Sequence, residues 1–138
     1  MRGSRYLGEL VSLGDHLRAA RLDRRLTQAQ AADELDVNEG TVVNWERGHT
    51  NPDLRALPRL IAWLGYDPRP AGDTLGQQVR WLRQARGLTR EAFAATLGVD
   101  PTSVARWESG QSKPIRRYRR LLEDLIAGTR QEVMDRAA

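Results

Sequence analysis

The feature that most constrains this chain is that it repeats itself. Shifting the sequence by 62 residues aligns Leu13–Pro52 with Leu75–Pro114 without a gap, and 15 of the 40 pairs are identical. A fixed internal period marks a duplicated structural unit, so the chain must be read as two copies of one small fold. The identical pairs are Leu13/Leu75, Gly14/Gly76, Arg18/Arg80, Arg21/Arg83, Arg24/Arg86, Leu26/Leu88, Thr27/Thr89, Ala32/Ala94, Leu35/Leu97, Val37/Val99, Val42/Val104, Trp45/Trp107, Glu46/Glu108, Gly48/Gly110 and Pro52/Pro114. With 138 residues in all, each copy has about 60 residues, enough for a compact helical unit with a marginal core.

Within each copy the apolar residues recur at helical spacing and never alternate as in a strand. Leu13, Leu17 and Ala20, and then Leu75, Val79 and Leu82, line a first amphipathic helix. Thr27 with Gln30 fits a capping box at the start of a second, short helix, and Thr89 stands at the equivalent start in the other copy. That helix ends near Leu35 or Leu97. After a short turn, Asn38 or Asp100 is placed to cap a third helix, with Pro101 at its first position. Gly48 and Gly110 are placed to end it. A fourth helix carries Leu57, Leu60, Ile61 and Leu64, or Ile115, Tyr118, Leu121, Leu122 and Leu125. The expected class is all-α: two small bundles at 12–66 and 74–128, a linker at 67–73 and a tail at 129–138. Pro68, Pro70 and Gly72 break the helix between the copies, and the eight residues Tyr66–Asp73 reach roughly 26–29 Å when fully extended.

The second and third helices, joined by a turn of three or four residues, form a helix-turn-helix. Ala32 and Ala94 are small enough for the crossing, and Val37 and Val99 plug the turn. Val42 with Trp45, and Val104 with Trp107, face inward on the third helix. At 100° per residue the opposite face is then Gly40, Asn44 and Arg47 in copy one and Thr102, Arg106 and Ser109 in copy two. A major groove is wide enough to admit such a helix.

Both copies resemble the Cro and phage-repressor family, the XRE-type helix-turn-helix. The resemblance is carried by Leu13-Gly14, Leu26-Thr27-Gln28, Trp45-Glu46-Arg47-Gly48 and Pro52, and again by Leu75-Gly76, Gly87-Leu88-Thr89, Leu97-Gly98-Val99, Trp107-Glu108-Ser109-Gly110 and Pro114. It implies two lambda-repressor-like bundles that bind double-stranded DNA and regulate transcription, as a repressor in a bacterium or phage. It implies phosphate contacts from Gln28 and Arg90 at the start of the second helices. It implies base reading from Asn38, Glu39, Gly40, Thr41 and Asn44, and from Asp100, Thr102, Ser103 and Arg106. Backbone contacts are implied for the loops that follow, His49–Asn51 and Gln111–Lys113. It also implies structural ion pairs Arg21–Glu46 and Arg83–Glu108. Copy one departs from the pattern at Arg25 and Asp36, where copy two has Gly87 and Gly98. If these positions are left-handed, each non-glycine costs about 1 kcal/mol.

Charge bears on the partner. The net charge is +4, and all of it belongs to the second half: residues 1–71 balance 10 arginines against 10 acids, and residues 72–138 carry 12 cations against 8 acids. A basic balance favours a polyanion. Arg116 and Arg117, in the run Arg116-Arg117-Tyr118-Arg119-Arg120, are equally well read as a solvated face or as phosphate contacts just after a third helix. Glu39 suits either the helix dipole or a cytosine amino group. Trp45 and Trp107 are expected in the core, and Trp63 and Trp81 in core or interdomain contacts.

No enzyme is expected, since no glycine-rich phosphate loop, activated nucleophile or carboxylate pair stands out. With no cysteine and only His16 and His49, neither metal nor cofactor is expected, and no small-molecule ligand is evident. No apolar run reaches the ~20 residues of a membrane span and no signal peptide opens the sequence, so a cytoplasmic protein is expected. Two rival readings stay open: a module turned to dimerisation or partner binding, and an antitoxin whose tail holds a toxin. The oligomer is open too, between a homodimer and a pseudo-dimer formed by the two copies of one chain.

Overall fold

The computed structural model describes residue 10 and residues 12–137, with side chains as far as Glu132. The segment read as lacking a signal peptide falls largely on residues 1–9, outside the described residues, as does Ala138 of the expected tail. The described residues form eight α-helices and no strand, divided into a unit ending at Pro68 and a second beginning at Arg69. The all-α class holds.

In the first unit, α1 spans Leu13–Asp23, α2 Gln28–Leu35, α3 Glu39–Arg47 and α4 Leu57–Leu64. Local chemistry sets the ends. Ser12 caps α1 in a reciprocal box with Asp15, and Thr27 caps α2 in another with Gln30. Each box satisfies two amide donors that a helix start would otherwise leave open. Asn38 caps α3, and Gly48 closes it at φ 76°. Ahead of α4, Asp53 accepts the Ala56 amide at 2.8 Å. Leu17, Ala32, Leu35, Val42, Trp45, Leu60 and Leu64 make the core, each at 5% exposure or less, flanked by Val37, Trp63 and Tyr66.

The second unit repeats this with α5 Leu75–Ala85, α6 Arg90–Leu97, α7 Pro101–Ser109 and α8 Arg116–Ala137. Thr74 forms a capping box with Gln77, while Thr89 caps α6 alone because its third residue is Ala92. Its core is built from bulkier pieces: Trp81 and Phe93 are buried where the first unit buries Ala19 and Ala31.

Two expectations change here. The fourth helix of the second unit does not stop at Gly128 but runs on to Ala137, so the segment read as a tail is helical that far. Glycine commonly marks a helix end, but here Thr129 is 4% exposed and its hydroxyl accepts a bond from Arg86 at 3.1 Å, which anchors the next turn. The linker also differs from a plain tether, because Ala71 packs against the second core and the Asp73 amide donates to Gln77 Oε1 at 2.8 Å.

Trp63 and Trp81 lie within their own units. Trp63 donates to Glu34 at 2.8 Å and carries the Arg24 guanidinium 4.1 Å above its ring. Trp81 is buried in the second core.

The left-handed turns stand as the resemblance implied. Arg25 and Asp36 have φ of 57° and 59°, and Gly87 and Gly98 take 69° and 70° at the equivalent places.

Candidate nucleic-acid interface

Each third helix is held from behind by two devices. The first is steric. A Cβ built on Gly14 would lie 2.0 Å from the Trp45 carbonyl oxygen, and one on Gly76 would lie 2.3 Å from that of Trp107. Only glycine lets the first helix come this close to the last turn of the third. Both glycines stand among the residues that carry the family resemblance, but the contact that requires them is visible only in the fold.

The second device is a buried ion pair. Arg21 Nε and Nη2 meet Glu46 at 2.7 and 2.9 Å, and Arg83 Nε and Nη2 meet Glu108 at 2.6 and 3.1 Å. The fork is bidentate in both units, the geometry in which arginine holds a carboxylate best. The remaining Nη1 donates to the Leu26 or Leu88 carbonyl at 3.1 or 2.8 Å. The pair therefore joins the first helix, the third helix and the entry to the second.

The same glutamate takes a second partner, the residue expected on phosphate. Gln28 donates to Glu46 Oε1 at 3.2 Å, and Arg90 Nε donates to Glu108 Oε1 at 3.1 Å. These two side chains are thus each bonded within their own unit, Arg90 while remaining exposed. The difference between the units is one of charge: Glu46 faces one guanidinium and a neutral amide, whereas Glu108 faces two guanidinia.

The outer faces are open. Gly40, Asn44 and Arg47 are exposed on α3, and Thr102, Arg106 and Ser109 on α7. Glu39 is exposed in the first turn of α3, where the helix dipole favours an acid. Asn38 and Thr41 are occupied with one another, since Asn38 Oδ1 accepts both the Thr41 amide at 2.9 Å and its hydroxyl at 2.8 Å. Ser103 is half-buried. Ser109 donates back to the Arg106 carbonyl at 3.1 Å. Asp100 accepts the Thr102 amide at 2.8 Å, and that bond, then the Thr102 hydroxyl, then the charge of Arg106 hold its carboxyl below the usual range.

Gly40 is not required by its own fold. It is helical, and a Cβ there would meet only Asn38 Oδ1 at 3.6 Å, an ordinary contact. The first unit thus presents bare backbone where the second presents Thr102.

Around α7 the surface is cationic. Lys113, Arg116, Arg117, Arg119 and Arg120 are all exposed, and no acid occupies the first turn of α8. Arg117 lies 4.7 Å from the Tyr118 ring and donates to its hydroxyl at 2.8 Å, and Arg119 reaches Glu123 at 3.6 Å. Four arginines at the positive end of a helix dipole oppose one another and the helix. The first unit carries the opposite sign on α2, the turn and α3, with Asp33, Glu34, Asp36 and Glu39 exposed.

Among the described residues no cluster of His, Cys, Asp and Glu is arranged to hold a metal, and no helix is long and apolar enough to cross a membrane. A family model described as helix-turn-helix domain matches residues 12–71 and, a second time, residues 74–135. Neither curated proteins nor solved structures give a significant match. Two fitted copies over most of the chain, each with a capped second helix and an open third-helix face, place this protein in the helix-turn-helix domain family as a tandem member.

Proposed function

We propose that this protein is a sequence-specific regulator of transcription, of the Cro and phage-repressor (XRE) type. It binds double-stranded DNA and acts as a repressor in the cytoplasm of a bacterium or of a phage-infected cell. The observation that carries the reading is the pair of exposed faces on α3 and α7, each fixed from behind by a buried Arg–Glu pair and a glycine contact. A reading helix must be held rigidly if its side chains are to discriminate bases.

In this reading the third helix of each unit enters a major groove. Arg106 is suited to the acceptor pair of guanine, and Thr102 and Ser103 stand beside it. Asn44 is suited to adenine, and Gly40 allows DNA to approach the α3 backbone closely. Asn38, Glu39, Thr41 and Arg47 border that contact. Lys113, Arg116 and Arg117 bind phosphate. Arg90 turns from Glu108 to phosphate, leaving Arg83 as the glutamate's partner, and Gln28 does the same in the first unit. Repression follows from occupying a duplex that other proteins need.

One chain then acts as a pseudo-dimer on a site with two unlike halves. Selection of bound sites from a random duplex library, followed by footprinting, tests this directly. An asymmetric site is expected, and log affinity should fall linearly with log salt as counterions are released. Arg106→Ala should cost about 1–3 kcal/mol and relax preference only in the guanine-containing half, with Asn44→Ala acting only in the other. A palindromic site indifferent to Asn44→Ala would mean that the second unit alone reads DNA and the chain dimerises to do so.

That outcome would favour the alternative in which the first unit is a partner-binding module. Its exposed acids Asp33, Glu34, Asp36 and Glu39 support such a role, because phosphates repel them.

A further inference from the structure

One identical pair of the repeat has no part in holding the fold. Each of the others is at least half-buried, makes a bond or closes a helix as a left-handed glycine. Arg18 and Arg80 are the exception. Both are exposed, and among the described residues neither guanidinium has a hydrogen bond, an ion pair or a ring contact. Their neighbours four positions away are Gly14 and Leu22, and Gly76 and Gln84, so no acid stands there to form a helical pair. Asp15, three positions before Arg18, accepts the Ser12 amide at 3.2 Å. Other outward letters of the first helix differ between the copies, with Asp15, Leu22 and Asp23 opposite Gln77, Gln84 and Ala85.

The flank on which these arginines stand is the same in both units. On α1, Gly14 lies against the Trp45 carbonyl and Arg21 bonds Glu46, so this side of the helix runs along the last turn of α3. Arg18 falls between them along the axis and, at about 100° per residue, some 40° round from Gly14. Arg24, which donates to the Trp63 carbonyl on α4, lies about 80° round the other way. Arg18 is therefore turned from α4 and stands beside the helix-turn-helix. In the second unit Gly76 lies against the Trp107 carbonyl, Arg83 bonds Glu108 and Arg86 reaches Thr129 on α8, which leaves Arg80 on the equivalent flank.

We infer that Arg18 and Arg80 bind phosphate, one in each unit, and carry the backbone contact of Gln28 and Arg90 on to the first helix. The shared glutamate puts Gln28 beside Arg21 and Arg90 beside Arg83. Arg18 and Arg80 come three residues earlier on the same helices, about 4.5 Å along the axis. A guanidinium with no internal partner keeps its planar fork open to two phosphate oxygens, and it has no ion pair to give up on binding, unlike Arg90. This inference rests on the proposed DNA reading. It adds that the first unit, for all its exposed acids, meets the duplex with a cation of its own.

Arg18→Ala and Arg80→Ala in the full-length chain test this, beside Arg18→Lys and Arg80→Lys. Affinity is measured across a salt series on the selected duplex and on a scrambled duplex of equal length. Each alanine variant should lower the slope of log affinity against log salt by about 0.9, the share of one phosphate, which is roughly an eightfold loss at 0.1 M salt. The loss should be equal on both duplexes, since a phosphate contact carries no sequence information. The lysine variants should keep the slope because they keep the charge. Melting temperatures should match the parent's, as neither guanidinium is bonded within the fold. A parental slope in both alanine variants would overturn the inference. So would a loss confined to the selected duplex, which would make the arginines base readers, or a fall in melting temperature, which would make them structural. A lowered slope for Arg80→Ala alone would overturn it for the first unit. A parent that binds neither duplex would sink the DNA reading and this inference with it, whereas a parent that binds with a slope indifferent to both alanines would sink this inference alone.

Discussion

The two units have one backbone plan and opposite temperaments. The second has glycine at both left-handed turns, a core that includes Trp81 and Phe93, and a cationic rim. The first has Arg25 and Asp36 in those turns, Ala19 and Ala31 at the equivalent core positions, and acids on its helix-turn-helix. The devices that hold the third helix are the same in both: the close glycine, the bidentate Arg–Glu pair and the inward valine and tryptophan. What the copies share is the mounting of the helix, and what separates them is turn chemistry, core size and surface charge.

The largest expected asymmetry lies in the glutamates. Glu108→Ala should destabilise the second unit by about 3–5 kcal/mol, since it leaves buried Arg83 without its partner. Glu46→Ala should cost the first unit less, because Glu46 balances one guanidinium and an amide whereas Glu108 balances two guanidinia. Chemical denaturation followed by hydrogen exchange in each unit measures both. Equal losses would mean that Arg90 adds nothing to the network, and simple additivity in an Arg83→Ala/Glu108→Ala cycle would mean that the pair is uncoupled.

The turns come next. Gly98→Ala should cost the second unit about 1 kcal/mol through backbone conformation alone, as no atom lies within 4 Å of the added Cβ. Asp36→Gly should move the first unit the other way or leave it unchanged, because the exposed Asp36–Arg59 pair it removes is worth little. Calorimetry on the four proteins, these two with the parent and Arg25→Gly, checks the sign. A fall in melting temperature for both glycine variants would contradict the left-handed strain.

The smallest effect is a pH dependence confined to one unit. Burial lowers the His16 pKa from its ordinary 6.5, outweighing the opposing charge of Asp15. The folded state therefore binds that proton less readily than the unfolded chain. Stability from the neutral ring is present above pH 6.5 and is lost as pH falls through that value toward the lowered one. The first unit should soften on acidification, and His16→Gln, which installs the residue found at Gln78, should flatten the profile. Hydrogen exchange at two pH values reads this out. Equal softening of both units would assign the effect to other groups.

Much of the fold was legible because it is written twice. Thr27, Thr89, Asn38, Asp100, Gly48 and Gly110 are short-range signals whose chemistry acts within three or four residues, so a sequence displays them openly. The outward face of each third helix followed from Val42 with Trp45 and Val104 with Trp107. Long-range contacts hid the rest. Gly14 and Gly76 acquire their meaning from a carbonyl some 31 residues away. Arg69 acquires its meaning from Trp81 and Gln84 on a helix that has not begun where the linker is read. Gly128 carried the local signal for a helix end, and a bond from Arg86 over 43 residues overrides it. At the site, the open positions were found, but the engagement of Gln28 and Arg90 with a buried glutamate depends on how α2 is laid across α3.

The close approach at Gly14 and Gly76 also bears on inheritance. When a gene segment is copied end to end, each copy starts with the same mutational freedom, and drift should erase resemblance fastest at positions with many acceptable substitutes. Here the acceptable set has one member, because even a methyl group would fall on a carbonyl oxygen. Such a position keeps no record of which half recognises what, and it outlasts the residues that do. In this chain that glycine is the same letter in both halves, while the outward faces share none, Gly40, Asn44 and Arg47 standing opposite Thr102, Arg106 and Ser109.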